Sequence, residues 1–153
     1  MESIPPVDYR RDPYRLSTDA TQLDLDVIHA YLAHESYWAK GINRAVMERS
    51  IRHSLNFGMY QGTAQVGFAR VVTDYATYAY LNDVFVLPAH QGQGLGKWLI
   101  ECVVAHPDLQ TLLRFGLATR DAQGLYQQYG FTALVYPERH MERLPEGYYK
   151  QGP

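Results

Sequence analysis

Cysteine is nearly missing from this chain: Cys102 stands alone among 153 residues, which excludes an intrachain disulfide and any site built from several cysteines. The six histidines show no close paired spacing of the kind zinc sites use, so no metal is expected. No uninterrupted apolar run approaches the ~20 residues of a membrane-spanning helix. The first thirteen residues lack the basic stretch and apolar core of a secretory leader, so a cytoplasmic protein without a membrane partner is expected. Net charge is −2 and no long basic run occurs, which gives no electrostatic support for nucleic acid as a partner. Repeats and low-complexity linkers are absent too.

What is present suits one globular domain over residues 1–153, with its core at about 14–144, since 46% of residues are hydrophobic and 20% charged. The most informative stretch is Gln91-Gly92-Gln93-Gly94-Leu95-Gly96-Lys97. It follows an apolar strand pattern at residues 78–87 and opens an amphipathic helix that ends before Pro107. Glycines at alternate positions permit positive φ and let backbone N–H groups converge on phosphate oxygens at a helix N-terminus. Two familiar phosphate loops do not match. A Walker loop needs four residues between its glycines and a hydroxyl after the lysine, where this chain has three residues and Trp98. The dinucleotide fingerprint needs glycine where Lys97 stands.

Gln91-x-x-Gly94-x-Gly96 after a strand instead resembles the acyl-CoA loop of the GNAT superfamily of N-acetyltransferases, and Leu125-Tyr126-Gln127-Gln128-Tyr129-Gly130-Phe131 resembles that superfamily's Leu-Tyr-x-x-x-Gly-Phe element. The resemblance implies acetyl-CoA as co-substrate and an amine of a small molecule or peptide as acceptor. A non-catalytic acyl-CoA-binding sensor is the alternative, and an acyltransferase for longer chains or a hydroxyl acceptor is a third reading.

Hydrophobic periodicity predicts helices over residues 23–35 and from an Asn43 cap through residue 55. Strands are expected at 14–17, 57–61, 65–73, 78–87, 112–118 and 131–136, with a last one at 141–144. Leu95, Trp98, Leu99, Cys102 and Val103 form the stripe of the helix after the glycine loop, and residues 122–129 form a short helix capped by Gly130. The result is an α+β fold in α/β/α layers: a mixed, mostly antiparallel sheet flanked by helices, as the resemblance also implies. The tail at 145–153 either covers a partner in a homodimer or stays loose.

The resemblance also implies a bulge in the strand before the loop, whose free backbone groups at Val84, Phe85 and Val86 would hold the pantetheine arm. Amides of Gln91, Gly92, Gln93, Gly94, Leu95, Gly96 and Lys97 would hold the phosphates, and the Lys97 side chain adds a positive charge. A backbone N–H beside the thioester would stabilise the oxyanion, worth about 2.7–4 kcal/mol per donor. Tyr126, from its place in the second element, is the candidate acid for the leaving thiolate. Asp83 is the candidate base, as the acidic side chain on the strand beside the reaction centre. Tyr37 and Trp38, between the first two helices, are the candidate acceptor-binding residues. Cys102 sits on a core-facing helical stripe, which argues against an acetyl-cysteine intermediate and for direct transfer in a ternary complex.

Overall fold

Asp24 and Asn43 start the first two helices as side-chain caps. In the computed structural model, which describes residues 3–147, Asp24 accepts the N–H groups of Asp26 and Val27 at the head of α1 (Leu25–His34), and Asn43 accepts those of Ala45 and Val46 at the head of α2 (Arg44–Arg52). Ile28 and Leu32 of α1, with Met47 and Ile51 of α2, bury their side chains in one cluster with Phe68 and Phe85. Those two phenylalanines lie on the sheet.

The sheet belongs to the larger of two units, which ends at Ala118. It holds β1 (Asp8–Arg11), β2 (Tyr14–Ser17), β3 (Leu55–Gln61), β4 (Ala64–Thr73), β5 (Tyr78–Val86) and β6 (Arg114–Leu117), in that spatial order. Every neighbouring pair is antiparallel except β5 and β6. Gly62, at φ 61°, makes the β3–β4 turn. In the β4–β5 turn the Asp74 carboxylate accepts the N–H groups of Ala76, Thr77 and Tyr78 and the Thr77 hydroxyl. Those bonds, the Thr77 hydroxyl's first, hold the carboxyl far below the usual range.

Adjacent strand residues point to opposite faces. Phe68 joins the α1–α2 cluster, whereas Ala69 pairs with Phe57, whose ring meets the His106 ring edge-on at 5.8 Å just beyond α3 (Leu95–Val104). Helices therefore cover both faces. On α3 the buried set is Leu95, Leu99, Ile100, Cys102 and Val103; Ile100 takes the fully buried place that the periodicity gave to Trp98, which is half-buried.

The smaller unit begins at Thr119. It contains α4 (Gln123–Gln127), closed by Gly130 at φ 89° and by the Phe131 N–H, which donates to the Tyr126 carbonyl at 3.2 Å. Expectations need correction here, at the other end of the chain, and at Leu55, which opens β3 instead of extending α2 beyond Arg52. Residues 131–136 and 141–144 are not strands. Phe-Thr-Ala-Leu-Val-Tyr has strand composition, yet among the described residues it finds no ladder partner, and Val135 is 78% exposed before Pro137 starts a new turn. Conversely, β1 was not expected: its Asp-Tyr-Arg-Arg is mostly exposed and lacks apolar alternation. The tail from residue 148 lies outside the described residues.

Candidate active site

β5 keeps two neighbours only along its first half. Its parallel ladder with β6 runs from the Tyr78/Arg114 pair to the Leu81/Leu117 pair and goes no further, while its antiparallel ladder with β4 continues to Val86. Where the parallel ladder stops, β5 bulges. Asn82 and Phe85 lie opposite Arg70 and Phe68, so three residue steps on β5 are matched to two on β4. Asp83 takes up the extra residue at φ 54°, a left-handed conformation that a short polar side chain tolerates better than a β-branched one.

The bulge decides which backbone groups face the opening. The Leu87 N–H donates to Val66 on β4, and the Phe85 carbonyl lies 3.1 Å from where a Cβ on Gly67 would stand, so Phe85 and Leu87 turn their backbones to β4. Val86, between them, turns the other way. Its carbonyl accepts the side-chain amide of Gln91 at 2.8 Å. Of the three residues expected to meet a pantetheine arm, Val86 turns its backbone away from β4 and Val84 follows the bulge. Phe85 instead contributes its ring, stacked on Tyr31 with centroids 4.0 Å apart.

A 3-10 turn at Pro88–His90 leads from β5 into the glycine loop. Gly92 and Gly94 have φ of 80° and 79°, and Gly94 is the N-cap of α3, with no side chain capping it. The first N–H groups of the helix lack intrahelical partners. A Cβ at Gly92 or Gly96 would meet nothing within 4 Å, so the space above the loop is open. Gln91 serves the loop by position, since its amide ties the loop to the end of β5 and its N–H donates to the Pro88 carbonyl. Open amides at a positive helix end, beside a strand that has lost its neighbour, fit the diphosphate and the amide-bearing arm of coenzyme A.

The acetyltransferase (GNAT) domain family matches residues 52–133. The chain belongs to the GNAT superfamily. Protein FG08082 of Gibberella zeae, described as an acetyltransferase, is 32% identical over 144 residues, covering 79% of this chain and 80% of that protein. A crystal structure of a GNAT-family protein from Xanthomonas campestris pv. campestris is 53% identical, covers 89% of this chain and 96% of that one, and superposes with a TM-score of 0.85. An acetyltransferase from Clostridium acetobutylicum, solved with acetyl-CoA, shares the fold at 11% identity, with a TM-score of 0.62 over 86% of this chain and 94% of its own. The activity of this GNAT protein is N-acetyl transfer.

Two candidate residues chosen independently from the sequence meet in space. The Trp38 indole N–H donates to Asp83 Oδ1 at 2.8 Å, and Asp83 Oδ2 accepts the Arg70 Nε–H at 2.8 Å. Arg70 in turn reaches the Ser54 hydroxyl at 3.1 Å. The Arg70 and Asp83 side chains are 14% and 9% exposed, so this ion pair is largely withdrawn from water. Trp38 and Tyr37, by contrast, are 42% and 39% exposed, and their rings meet edge-on at 5.1 Å. Ser36 holds the loop that carries them: its hydroxyl donates to the Leu32 carbonyl and accepts the Ala39 N–H. Burial beside Phe85, with Glu35 adding to it, pushes the Tyr31 phenol up. Thus an aromatic surface borders the bulge, pinned there by a buried ion pair.

Lys97 is exposed in the first turn of α3. Tyr126 lies on α4 in the smaller unit, buried, with its ring edge-on to Phe131 at 5.9 Å. Cys102 is buried in α3, and burial followed by the nearby Glu101 pushes its thiol up to about 11, which leaves little nucleophilic thiolate. The described residues contain no cluster of three or more metal-ligating side chains, and none of their helices is long and apolar enough to cross a membrane. Sequence reasoning missed Arg70 and Tyr31. Arg70 had a signal: a charged residue inside the apolar run from Val66 to Val72 needs a buried partner.

Proposed function

We propose that this protein moves the acetyl group of acetyl-CoA directly to a primary amine of a small molecule or peptide, in a ternary complex. The observation that carries the reading is the coincidence of three features at one place: the end of the β5–β6 ladder at Leu81, the bulge at Asp83 and the open helix end at Gly94. Bound acetyl-CoA supplies the activated acetyl thioester. The amides of residues 92–97 bind its diphosphate, with Lys97 adding charge, and Val84 and Val86 offer backbone groups to its pantetheine arm. A backbone N–H in this stretch of β5 stabilises the developing oxyanion.

Tyr126 is the acid in this scheme, donating its phenol proton to the departing sulfur. Asp83 is assigned to the acceptor side. Its two oxygens hold the Trp38 indole and the Arg70 guanidinium, which suits a carboxylate that anchors Trp38 while the amine proton leaves through water. Tyr37 and Trp38 present ring faces to the acceptor. A net charge of −2 with no long basic run gives no electrostatic support for nucleic acid as the acceptor.

The test is release of free CoA thiol from acetyl-CoA with pooled polyamines, aminoglycosides, amino acids and short peptides, each against a blank without acceptor. Release above the blank in one pool is expected. The Tyr126→Phe variant should then lose on the order of 10²-fold in kcat while binding acetyl-CoA normally. Binding of acetyl-CoA without transfer to any pool would overturn catalysis in favour of an acyl-CoA sensor.

A further inference from the structure

We propose that the tip of the β1–β2 hairpin is part of the nucleotide site, with Arg11 as a diphosphate-binding residue that the glycine-loop motif does not contain. The inference rests on the reading of that loop as the cradle for the CoA diphosphate.

Two side chains from the hairpin reach the loop. The last cross-strand pair before the turn is Arg11 with Tyr14. Tyr14 is buried, and its hydroxyl bonds His90 Nδ1 at 2.9 Å, with the two rings edge-on at 5.7 Å. His90 is the last residue of the turn that feeds the glycine loop. Arg11 reaches further. Its Nη1 donates to the Gly94 carbonyl at 3.3 Å, and its two Nη atoms stand 3.8 and 3.7 Å from where a Cβ on Gly94 would be. The guanidinium therefore lies over the N-cap of α3.

The chemistry of that placement is informative. The Gly94 carbonyl already accepts the Trp98 N–H at 3.1 Å, as an N-cap carbonyl should. A second, long bond to an exposed arginine gains little against the side-chain entropy of holding it there. A guanidinium has five N–H donors in a planar fork that matches two phosphate oxygens, and contact with the carbonyl uses one of them. Set above a positive helix end, with Lys97 in the first turn, Arg11 adds a cation where a diphosphate would collect its charge. Tyr14 and His90 fix the height of the hairpin over the loop. Both hairpin residues lie outside residues 52–133, the part that matches the family, so this contact is a feature of the chain's own N-terminal strands.

The test is the affinity of the full chain for CoA and for 3′-dephospho-CoA, by calorimetry at low and high salt, in the wild type and in the Arg11→Gln and Arg11→Lys variants. Arg11→Gln keeps a donor for the Gly94 carbonyl and removes the charge. It should weaken both ligands about tenfold, flatten the salt dependence of Kd and leave the melting temperature of the unliganded protein unchanged; Arg11→Lys should recover part of the loss. Unchanged affinity in Arg11→Gln overturns the proposal. A loss seen only with CoA overturns it as well, because it moves Arg11 to the 3′-phosphate, and a loss with unaltered salt dependence reduces Arg11 to a brace. Failure of the wild type to bind CoA would instead remove the reading of the loop on which the proposal stands.

Discussion

Asp83 combines an unusual backbone conformation with a bridging side chain. Its positive φ creates the bulge, and its carboxylate, held by Arg70, receives the Trp38 indole. Trp38 and Asp83 were both picked out in the sequence, one as an aromatic between helices and the other as an acid on the strand before the glycine loop. Their contact was not legible, because 45 residues separate them and only the bulge turns Asp83 towards the α1–α2 loop. If Asp83 anchors Trp38, Asp83→Asn and Trp38→Phe should each raise the acceptor KM by about tenfold, as for loss of one charge-assisted bond. The double variant should be little worse than either single one, since both remove the same contact. Steady-state kinetics over a range of pH decide the matter. A collapse of kcat in Asp83→Asn alone, with loss of the acidic limb of the pH profile, would make Asp83 the base.

At the scale of elements, apolar stripes and the Asn43 cap made α1, α2 and α3 readable, and the glycine pattern placed the start of α3 at the loop. Two of the misread strands show why the rest was not. β1 is a strand because β2 offers it an edge, despite its charged residues, whereas 131–136 has the right residues and, among the described residues, no ladder partner. The glycines of the loop differ in a way that letters alone hide. Gly94 sits at φ 79°, so Gly94→Ala should cost about 1–2 kcal/mol of stability and weaken CoA binding. Gly96 has no positive φ and open space around its missing Cβ, so Gly96→Ala should leave stability unchanged or raise it by up to about 1 kcal/mol. Melting temperatures of the two variants, measured side by side without ligand, should therefore shift in opposite directions or differ by several degrees. Equal losses would contradict the loop geometry.

For the whole molecule, acid stability is set in part behind the sheet. His106 is fully buried, its Nδ1 accepts the Asp108 N–H, and its ring lies edge-on to Phe57. Burial holds the imidazole below the usual histidine range, with Asp108 pulling weakly the other way. The unfolded chain takes up the proton near 6.5, before the folded chain does. Unfolding thus binds a proton, and this stabilisation, complete at neutral pH, is lost as pH falls below about 6.5, at no more than about 1.4 kcal/mol per pH unit. His106→Asn keeps a cap for the Asp108 N–H and cannot titrate there, so its melting temperature should fall less than the wild type's on acidification; parallel curves would refute the assignment. The sheet itself runs in sequence order from β1 to β6, with a single reversal of habit at β5–β6. An antiparallel partner would have returned through a hairpin, but a parallel one obliges the chain to travel back along the sheet before β6 can begin. The return journey is α3, so its first turn must start from the carboxyl end of β5, beyond the point where β6 has stopped pairing. One change of strand direction is therefore enough to set a positive helix end beside an unpaired strand end, wherever the rest of the sequence drifts.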